Sequence, residues 1–425
     1  MKKIIIYILI VTFFSTGKII ADMQITFNVS GPDAKSLGSE SNYPACDITD
    51  HRKKKECRVG NFSNVSKTGF SHIRKISPSP NPMRFGYYNH SKSLIQSADK
   101  LLSKHPIMSL MIIKNGKIVL EKYQYNTKRE NVFRSFSVAK TFTAMLVGIA
   151  IEKGHITSID DKVSKYWPEI SKSVYGDVSI KNLLRMSSAV YDTDKSINEP
   201  GTPTVNLYAV LNKIEYFNQP KLLEDYINSI QKSEKLKVAN ETQGNRFVYT
   251  TVDTEILTRV LVKATKKNLT DLTSEWLWKP MGARGNGRWL YSTTDFIENG
   301  GSGFNASLTD YARFGALLAN DGKRDGVQII PKEFLLDATS KERVEKNFIN
   351  IGNGWVYGYG YQTWILPNKE RTFCLLGHYG QFLCVQPETK IVFVQFSAGE
   401  HENKNRILSK DTYDFFQQAL AELKN

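Results

Sequence analysis

The sequence predicts an α+β fold: an antiparallel β-sheet built from both chain ends and flanked by helices, with an all-helical subdomain between. Three observations predict it. Strand-like segments gather near 108–123 and again near 359–396, each with a helical segment beside it. The stretch from about 160 to 300 reads mostly as helices joined by long polar connections. Between the first strands and that stretch lies a helix that is apolar on nearly every face, which marks a buried central element.

The elements follow in chain order. Met1-Lys2-Lys3, the apolar run Ile4–Phe14, the break Ser15-Thr16-Gly17 and the small Ala21 have the layout of a secretory signal peptide. The alternative is an uncleaved anchor, but the run is short for a span and Lys18 interrupts it. The expected protein is therefore exported, periplasmic or secreted, with no membrane span after processing. Residues 22–85 read as an extension rather than a domain. They hold one alternating strand at Ile25, Phe27 and Val29, the basic run His51-Arg52-Lys53-Lys54-Lys55, and the linker-like Ser77-Pro78-Ser79-Pro80-Asn81-Pro82.

From residue 86 to 425 the signals are regular. Ser91–Ser103 has helical periodicity. Met108–Ile113 and Ile118–Tyr123 flank Asn115-Gly116, the strongest short hairpin signal. Ser137–Lys153 is the buried helix, stopped by Gly154. Ser307-Leu308-Thr309-Asp310 is a capping box before Tyr311–Leu318. Tyr359–Leu366, Phe373–Leu376, Phe382–Gln386 and Lys390–Phe396 read as strands. Ser409–Leu423 closes the chain as an amphipathic helix with Tyr413, Phe416, Leu420 and Leu423 on one face.

Composition narrows the function classes. The 425 residues are 41% hydrophobic and 23% charged, which excludes a disordered or low-complexity chain. The net charge of +15 raises nucleic acid or an anionic surface as partners. Lys2, Lys3 and Lys18 would leave with the signal peptide, and no basic stripe runs through the remainder, so no nucleic-acid partner is expected. The cysteines form two sequence-local pairs, Cys46 with Cys57 and Cys374 with Cys384. Export permits disulfides, and free thiols are the alternative. Zinc is disfavoured because neither CxxC spacing nor a histidine cluster is present. No metal and no cofactor are expected: HExxH, Walker and dinucleotide glycine patterns are all missing.

The chemistry centres on Ser137-Val138-Ala139-Lys140. Positions i and i+3 share a helix face, so Lys140 can reach the Ser137 hydroxyl. Ser137 at a helix N-terminus sits where backbone N–H groups favour an oxyanion, and burial would favour a neutral, basic lysine. The pattern recurs at Ser97–Lys100 and Ser229–Lys232, but only the middle copy opens a buried helix. The competing reading is an N-cap serine and a snorkelling lysine.

Context favours the first reading. The segment Phe133-Arg134-Ser135-Phe136-Ser137-Val138-Ala139-Lys140-Thr141-Phe142-Thr143 resembles the serine-lysine hydrolase superfamily of class C β-lactamases, penicillin-binding carboxypeptidases, related esterases and 6-aminohexanoate-dimer hydrolases. Lys181–Ser188, Phe247–Thr254, Trp278–Gly282, Phe304–Gly315 and Gly377–Gln381 match further motifs in the expected order, over roughly residues 90–400. The resemblance implies a hydrolase acting through an acyl-Ser137, with Lys140 and Tyr249 as general base and acid. Tyr216-Phe217-Asn218 and Tyr226-Ile227-Asn228 are rival tyrosine triplets, but neither precedes a helix like Val252–Ala264.

The third motif falls at His378-Tyr379-Gly380. Gly380 is expected to let the strand approach substrate, and the Gln381 N–H to pair with that of Ser137 as an oxyanion hole. Lys67-Thr68-Gly69 precedes Ser137 and is taken as chance. Thr251 stands where β-lactamases carry Asn, and His378 where they carry Lys. Both departures point to the esterase and aminohexanoate-dimer hydrolase branch, with a small-molecule or short peptide or amide substrate. The alternatives are a β-lactamase or D-Ala carboxypeptidase, a non-catalytic relative that keeps the fold, and an anionic-surface binder acting through residues 51–58. Tyr359, Tyr361 and Trp364 are candidates either for a cleft wall or for core.

Overall fold

The structure is a computed structural model, and it describes residues 25–27, 30–48, 50–70, 72–88, 92–190, 220–229, 241–292, 295–351, 354–400 and 406–424. The expected signal peptide and the rival triplet at 216–218 lie outside the described residues.

The main sheet has nine strands. Its order is β1 (Ile25–Phe27), β5 (Lys117–Tyr123), β4 (Ile107–Lys114), β15 (Ile391–Ser397), β14 (Gln381–Gln386), β13 (Phe373–Gly377), β12 (Trp364–Ile365) and β11 (Gly358–Tyr359), with β3 (Gly86–Tyr87) also on β5. All pairings from β5 to β11 are antiparallel, whereas β1 and β3 add parallel to the β5 edge. The two chain ends meet at the β4–β15 pair, as the clustering of strand signals predicts. Asn115 and Gly116 both have positive φ, at 49° and 69°, which is the backbone that the tight β4–β5 turn demands.

Both faces of this sheet are covered. On one side α1 (Lys92–Lys104) and the closing helix α2 (Arg406–Leu423) bury Leu94, Leu101, Phe415 and Phe416 against Leu110, Ile112 and Phe393. On the other, Met111, Ile113, Leu383 and Val392 meet α3 (Leu308–Ala319) and α4 (Ala139–Glu152). Alternation along β4 sends successive residues to the two layers, so every position of the strand is buried. At the start of α3 the Ser307 hydroxyl accepts from Asp310 N–H at 3.1 Å, while the Asp310 carboxylate turns outward to accept from Arg284 and Gly285 N–H at 2.7 and 2.9 Å.

A second sheet, β2 (Ile73–Ile76), β7 (Gly287–Leu290), β8 (Phe304–Ala306) and β6 (Phe133–Arg134), is antiparallel throughout. Strand β7 lies inside the stretch expected to be helical. Three expectations are corrected. Tyr359–Leu366 is not one strand: Gln362 has φ 57°, and the segment folds into the β11–β12 hairpin. Residues 22–85 are not a bare extension. Strands β1 and β2 join the two sheets, and Leu37, Tyr43, Val59 and Phe62 belong to the main core. His51 and Arg58 of the basic loop point inward, at 3% and 7% exposure, while Arg52, Lys53 and Lys54 are exposed, so only part of the loop is the cationic surface that its charge suggests.

Both cysteine pairs are disulfides. Cys46–Cys57 joins Cα atoms 5.6 Å apart, and Cys374–Cys384 bridges directly opposed residues of β13 and β14 with Cα atoms 4.1 Å apart. No helix among the described residues is long and apolar enough to cross a membrane.

Candidate active site

Ser137 sits in a 3-10 turn, Phe136–Val138, that feeds directly into α4. Twelve residues in succession, Ala139–Ala150, are buried, so the helix threads the middle of the molecule and carries Lys140 inward with it. Phe136 has φ 48°, a conformation that costs a bulky residue and that surrounding packing must impose.

Lys140 is 1% exposed. A buried ammonium or amine needs partners, and those of Lys140 include Ser137 Oγ at 3.1 Å, Thr251 Oγ1 at 3.0 Å and Gly301 O at 2.8 Å. The Tyr249 ring lies beneath it, 5.3 Å from Nζ to the ring centroid. Tyr249 enters just before α5 (Thr251–Thr265), whose first turn is capped by the Thr250 hydroxyl accepting from Val252 N–H. Trp364 of β12 stacks on Tyr249 at 5.4 Å and 27°, and Tyr359 meets Tyr249 edge-on at 6.2 Å. The fold therefore brings Tyr249, distant in sequence, to the neighbouring pair Ser137 and Lys140. Of the candidate wall residues, Tyr359 and Tyr361 are core and Trp364 is half-buried beside Tyr249.

The hairpin between β13 and β14 carries the third motif. Its register pairs Gly377 with Gln381, leaving His378, Tyr379 and Gly380 as the loop. His378 is half-buried there. Gln381 is fully buried, and its side-chain amide donates to His378 O and Ser397 O at 2.9 Å each and accepts from Ser397 N–H. Gly380 departs from expectation. It has φ 86°, and a Cβ there would meet Leu408 of the closing helix at 2.6 Å, so the structure needs glycine there for its backbone and its packing against α2. The glycine of close approach is Gly377, where a Cβ would fall 2.3 Å from Ser135 O. That contact locks the hairpin against the turn carrying Ser137.

Sequence reasoning also missed the support behind Lys140. Gly300 and Gly301 pass between α4 and α5 so tightly that added Cβ atoms would meet Thr258 Oγ1 at 2.0 Å and Thr251 Cγ2 at 2.6 Å. The Gly301 N–H donates to Glu255 Oε1 at 3.0 Å while its carbonyl accepts from Lys140. Glu255 is wholly buried, and burial pushes its carboxyl up against the opposing pull of Arg259 and the Gly301 N–H. Arg259 pairs with Glu255 at 3.1 Å and with Asp295 at 2.7 Å. The glycine-rich run Asn299-Gly300-Gly301-Ser302-Gly303 is the signal that could have found this crossing. Among the described residues the only cluster with metal-ligand spacing is Cys46, Asp50 and Cys57, and its thiols are spent in a disulfide.

A serine beside a buried lysine, opposite a strand-borne hairpin, is an arrangement suited to a serine hydrolase acting on amide or ester bonds. The chain belongs to the Beta-lactamase family, whose match spans residues 96–414. It is similar to the 6-aminohexanoate-dimer hydrolase of Paenarthrobacter ureafaciens, 20% identical over 295 residues that cover 68% of this chain and 72% of that protein. Among solved structures it resembles a candidate 6-aminohexanoate-dimer hydrolase from Bacillus anthracis (TM-score 0.74, 23% identity, 89% of this chain and 98% of that one). It also resembles a class C beta-lactamase from Rhodobacter sphaeroides (TM-score 0.54, 12% identity, 78% of this chain and 100% of that one). These similarities agree with the superfamily that the motifs indicate.

Proposed function

We propose that the protein is an exported hydrolase that cleaves an ester or amide bond through an acyl-Ser137 intermediate. The observation that carries this reading is the buried Lys140, with Nζ 3.1 Å from Ser137 Oγ and 5.3 Å from the Tyr249 ring centroid. In acylation, Ser137 Oγ attacks the carbonyl carbon and gives its proton to the Lys140–Tyr249 pair. The tetrahedral oxyanion is held by the Ser137 N–H and an N–H of the 378–381 hairpin, for which the motif selects Gln381. The carbon–leaving-group bond then breaks as the pair returns the proton to the departing alkoxide or amine. Water repeats the sequence and releases the acid.

Export rests on the signal-peptide layout of residues 1–21, and the two disulfides support it. The amide of a short amino-acid oligomer is a natural first substrate to try, given the likeness to aminohexanoate-dimer hydrolases. A β-lactamase or D-Ala carboxypeptidase is the second reading. Thr251 in place of Asn and His378 in place of Lys weigh against it, since a fixed cation for the substrate carboxylate is replaced by a titratable ring. The test is covalent labelling of the folded protein by a fluorophosphonate, beside turnover of p-nitrophenyl esters, short amides and nitrocefin. Labelling and turnover lost in Ser137→Ala support the proposal. An unlabelled, inactive wild type sinks it, and stable acylation by a fluorescent penicillin favours the second reading.

A further inference from the structure

The Beta-lactamase match begins at residue 96, yet the disulfide-closed segment upstream of it reaches the site. Helix Arg58–Ser63 is buried at every position. From it Phe62 meets Phe136 edge-on at 5.0 Å and Tyr379 at 4.9 Å, while His51 lies 6.0 Å from Phe136 and 5.5 Å from Tyr379. Phe136 and Tyr379 touch each other at 5.1 Å. These two residues adjoin the two arms of the expected oxyanion hole: Phe136 directly precedes Ser137, and Tyr379 is the middle of the third-motif loop. Both have positive φ, at 48° and 64°. A bulky residue keeps such a backbone only where its neighbours over-determine it.

Arg58 completes the contact. It is 7% exposed and lies over the Tyr379 ring at 5.7 Å. It donates to His51 O at 3.2 Å and Gly399 O at 3.0 Å, and pairs with Glu400 at 3.0 Å, just past the end of β15. The Cys46–Cys57 bond closes the chain immediately before Arg58. The segment thus ties the nucleophile turn, the third-motif loop and the end of β15 into one aromatic cluster.

We propose that residues 50–63, anchored by the Cys46–Cys57 bond, are part of the catalytic apparatus, with Arg58 as a positioning residue that holds Tyr379 and Phe136, and through them the oxyanion donors, in place. The inference rests on the acyl-Ser137 reading. A misplacement of about 1 Å at such a site costs up to about a hundredfold in rate, and loss of one of several supports costs less, about tenfold.

The experiment compares wild type with Arg58→Met, Arg58→Lys and the double variant Cys46→Ser/Cys57→Ser, each full-length and shown folded by circular dichroism at the assay temperature. The readouts are the fluorophosphonate labelling rate of Ser137, and kcat and KM on a p-nitrophenyl ester. The expected result is a roughly tenfold slower labelling and lower kcat in Arg58→Met, with KM within about twofold and partial recovery in Arg58→Lys, which keeps the charge. The double variant should follow Arg58→Met in direction. A labelled wild type whose variants react at its own rate overturns the inference and leaves the hydrolase reading intact. So does a loss that vanishes once rates are referred to the folded fraction. A wild type that is neither labelled nor active sinks the hydrolase reading, and the inference with it.

Discussion

Replacing Gly377 by alanine tests the geometry of the site most directly. Gly377 does not have a left-handed backbone, so its replacement carries no dihedral penalty and the cost is steric. The new Cβ would stand 2.3 Å from Ser135 O, a backbone atom that cannot rotate away, and 3.0 Å from the Gln381 Cβ. Restoring a normal carbon–oxygen contact of about 3.2 Å requires the hairpin and the Ser135–Ser137 turn to separate by about 0.9 Å. Overpacking of this kind costs about 1–3 kcal/mol of stability. Its effect on rate is larger, since a shift near 1 Å between nucleophile and oxyanion donors is worth about a hundredfold. The assay is steady-state hydrolysis of a p-nitrophenyl ester with fluorophosphonate labelling, beside thermal unfolding. Gly380→Ala is the internal comparison. Its Cβ meets the movable Leu408 Cδ2 at 2.6 Å and its φ of 86° disfavours a side chain, so it should lose stability and much less activity per folded molecule. A Gly377→Ala protein with kcat within about threefold of wild type, or one more active than Gly380→Ala, would refute the reasoning.

Other outcomes follow from the same contacts. Thr251→Val removes an acceptor of Lys140 Nζ while keeping the side chain's shape, and should lower kcat about tenfold, with Thr251→Ser recovering most of it in the same assay. Trp364→Ala removes the ring stacked on Tyr249, a contact worth about 0.5–1.5 kcal/mol, so kcat should fall up to about tenfold while Trp364→Phe stays near wild type. Burial, with the Arg134 charge second, pushes the His51 imidazole down to about 3 from the usual 6.5, although its ring nitrogen meets Ile48 O. As pH falls, the unfolded chain takes up this proton first. The contribution to stability is therefore whole above about pH 6.5 and is lost progressively down to about pH 3, amounting to about 2 kcal/mol between pH 7 and pH 5. Urea unfolding at the two pH values should show this loss in wild type and not in His51→Gln.

Local signals were legible wherever one short stretch decides the structure. Asn115-Gly116 names its own turn, the all-apolar run after Phe142 can only be a buried helix, and the spacing of Cys374 and Cys384 suits opposed strand positions. The pair Ser137 and Lys140 was legible for the same reason, since a helix sets their geometry. What failed was long-range. Tyr359–Leu366 alternates like a strand, but Gln362 is a buried hub: its amide donates to Leu183 and Leu184 carbonyls, its Oε1 accepts from Thr254, and its backbone carbonyl accepts from Thr141. Those four bonds hold a left-handed turn that alternation cannot reveal. Gly380 looked like the glycine of close approach because it completes a motif. Gly377 holds that place because Ser135, distant in sequence, happens to face it. Likewise, the charge of residues 51–58 suggested a surface, whereas His51 and Arg58 find partners only in the folded chain.

The surroundings of Lys140 bear on which substrates the site can serve. Three neutral oxygens accept from its Nζ, and one of them links it to a buried carboxylate: Glu255 holds the Gly301 N–H, and the Gly301 carbonyl holds Lys140. These bonds orient the amine toward Ser137 Oγ. An Asn at position 251 would offer a two-proton amide donor to a substrate as well as an oxygen to the lysine, whereas the Thr251 hydroxyl, which accepts from Nζ, has a single O–H on a shorter side chain. With His378 in the third motif, neither of the groups that would grip a carboxylated β-lactam is present. On the proposed reading, the rings of Trp364, Tyr249 and Phe247, which lie within 5.4–6.4 Å of one another, would supply the substrate wall. Uncharged acyl groups of moderate size suit such a wall better than anionic ones do. A substrate screen that ranks neutral esters and amides below their carboxylate-bearing counterparts would contradict this account.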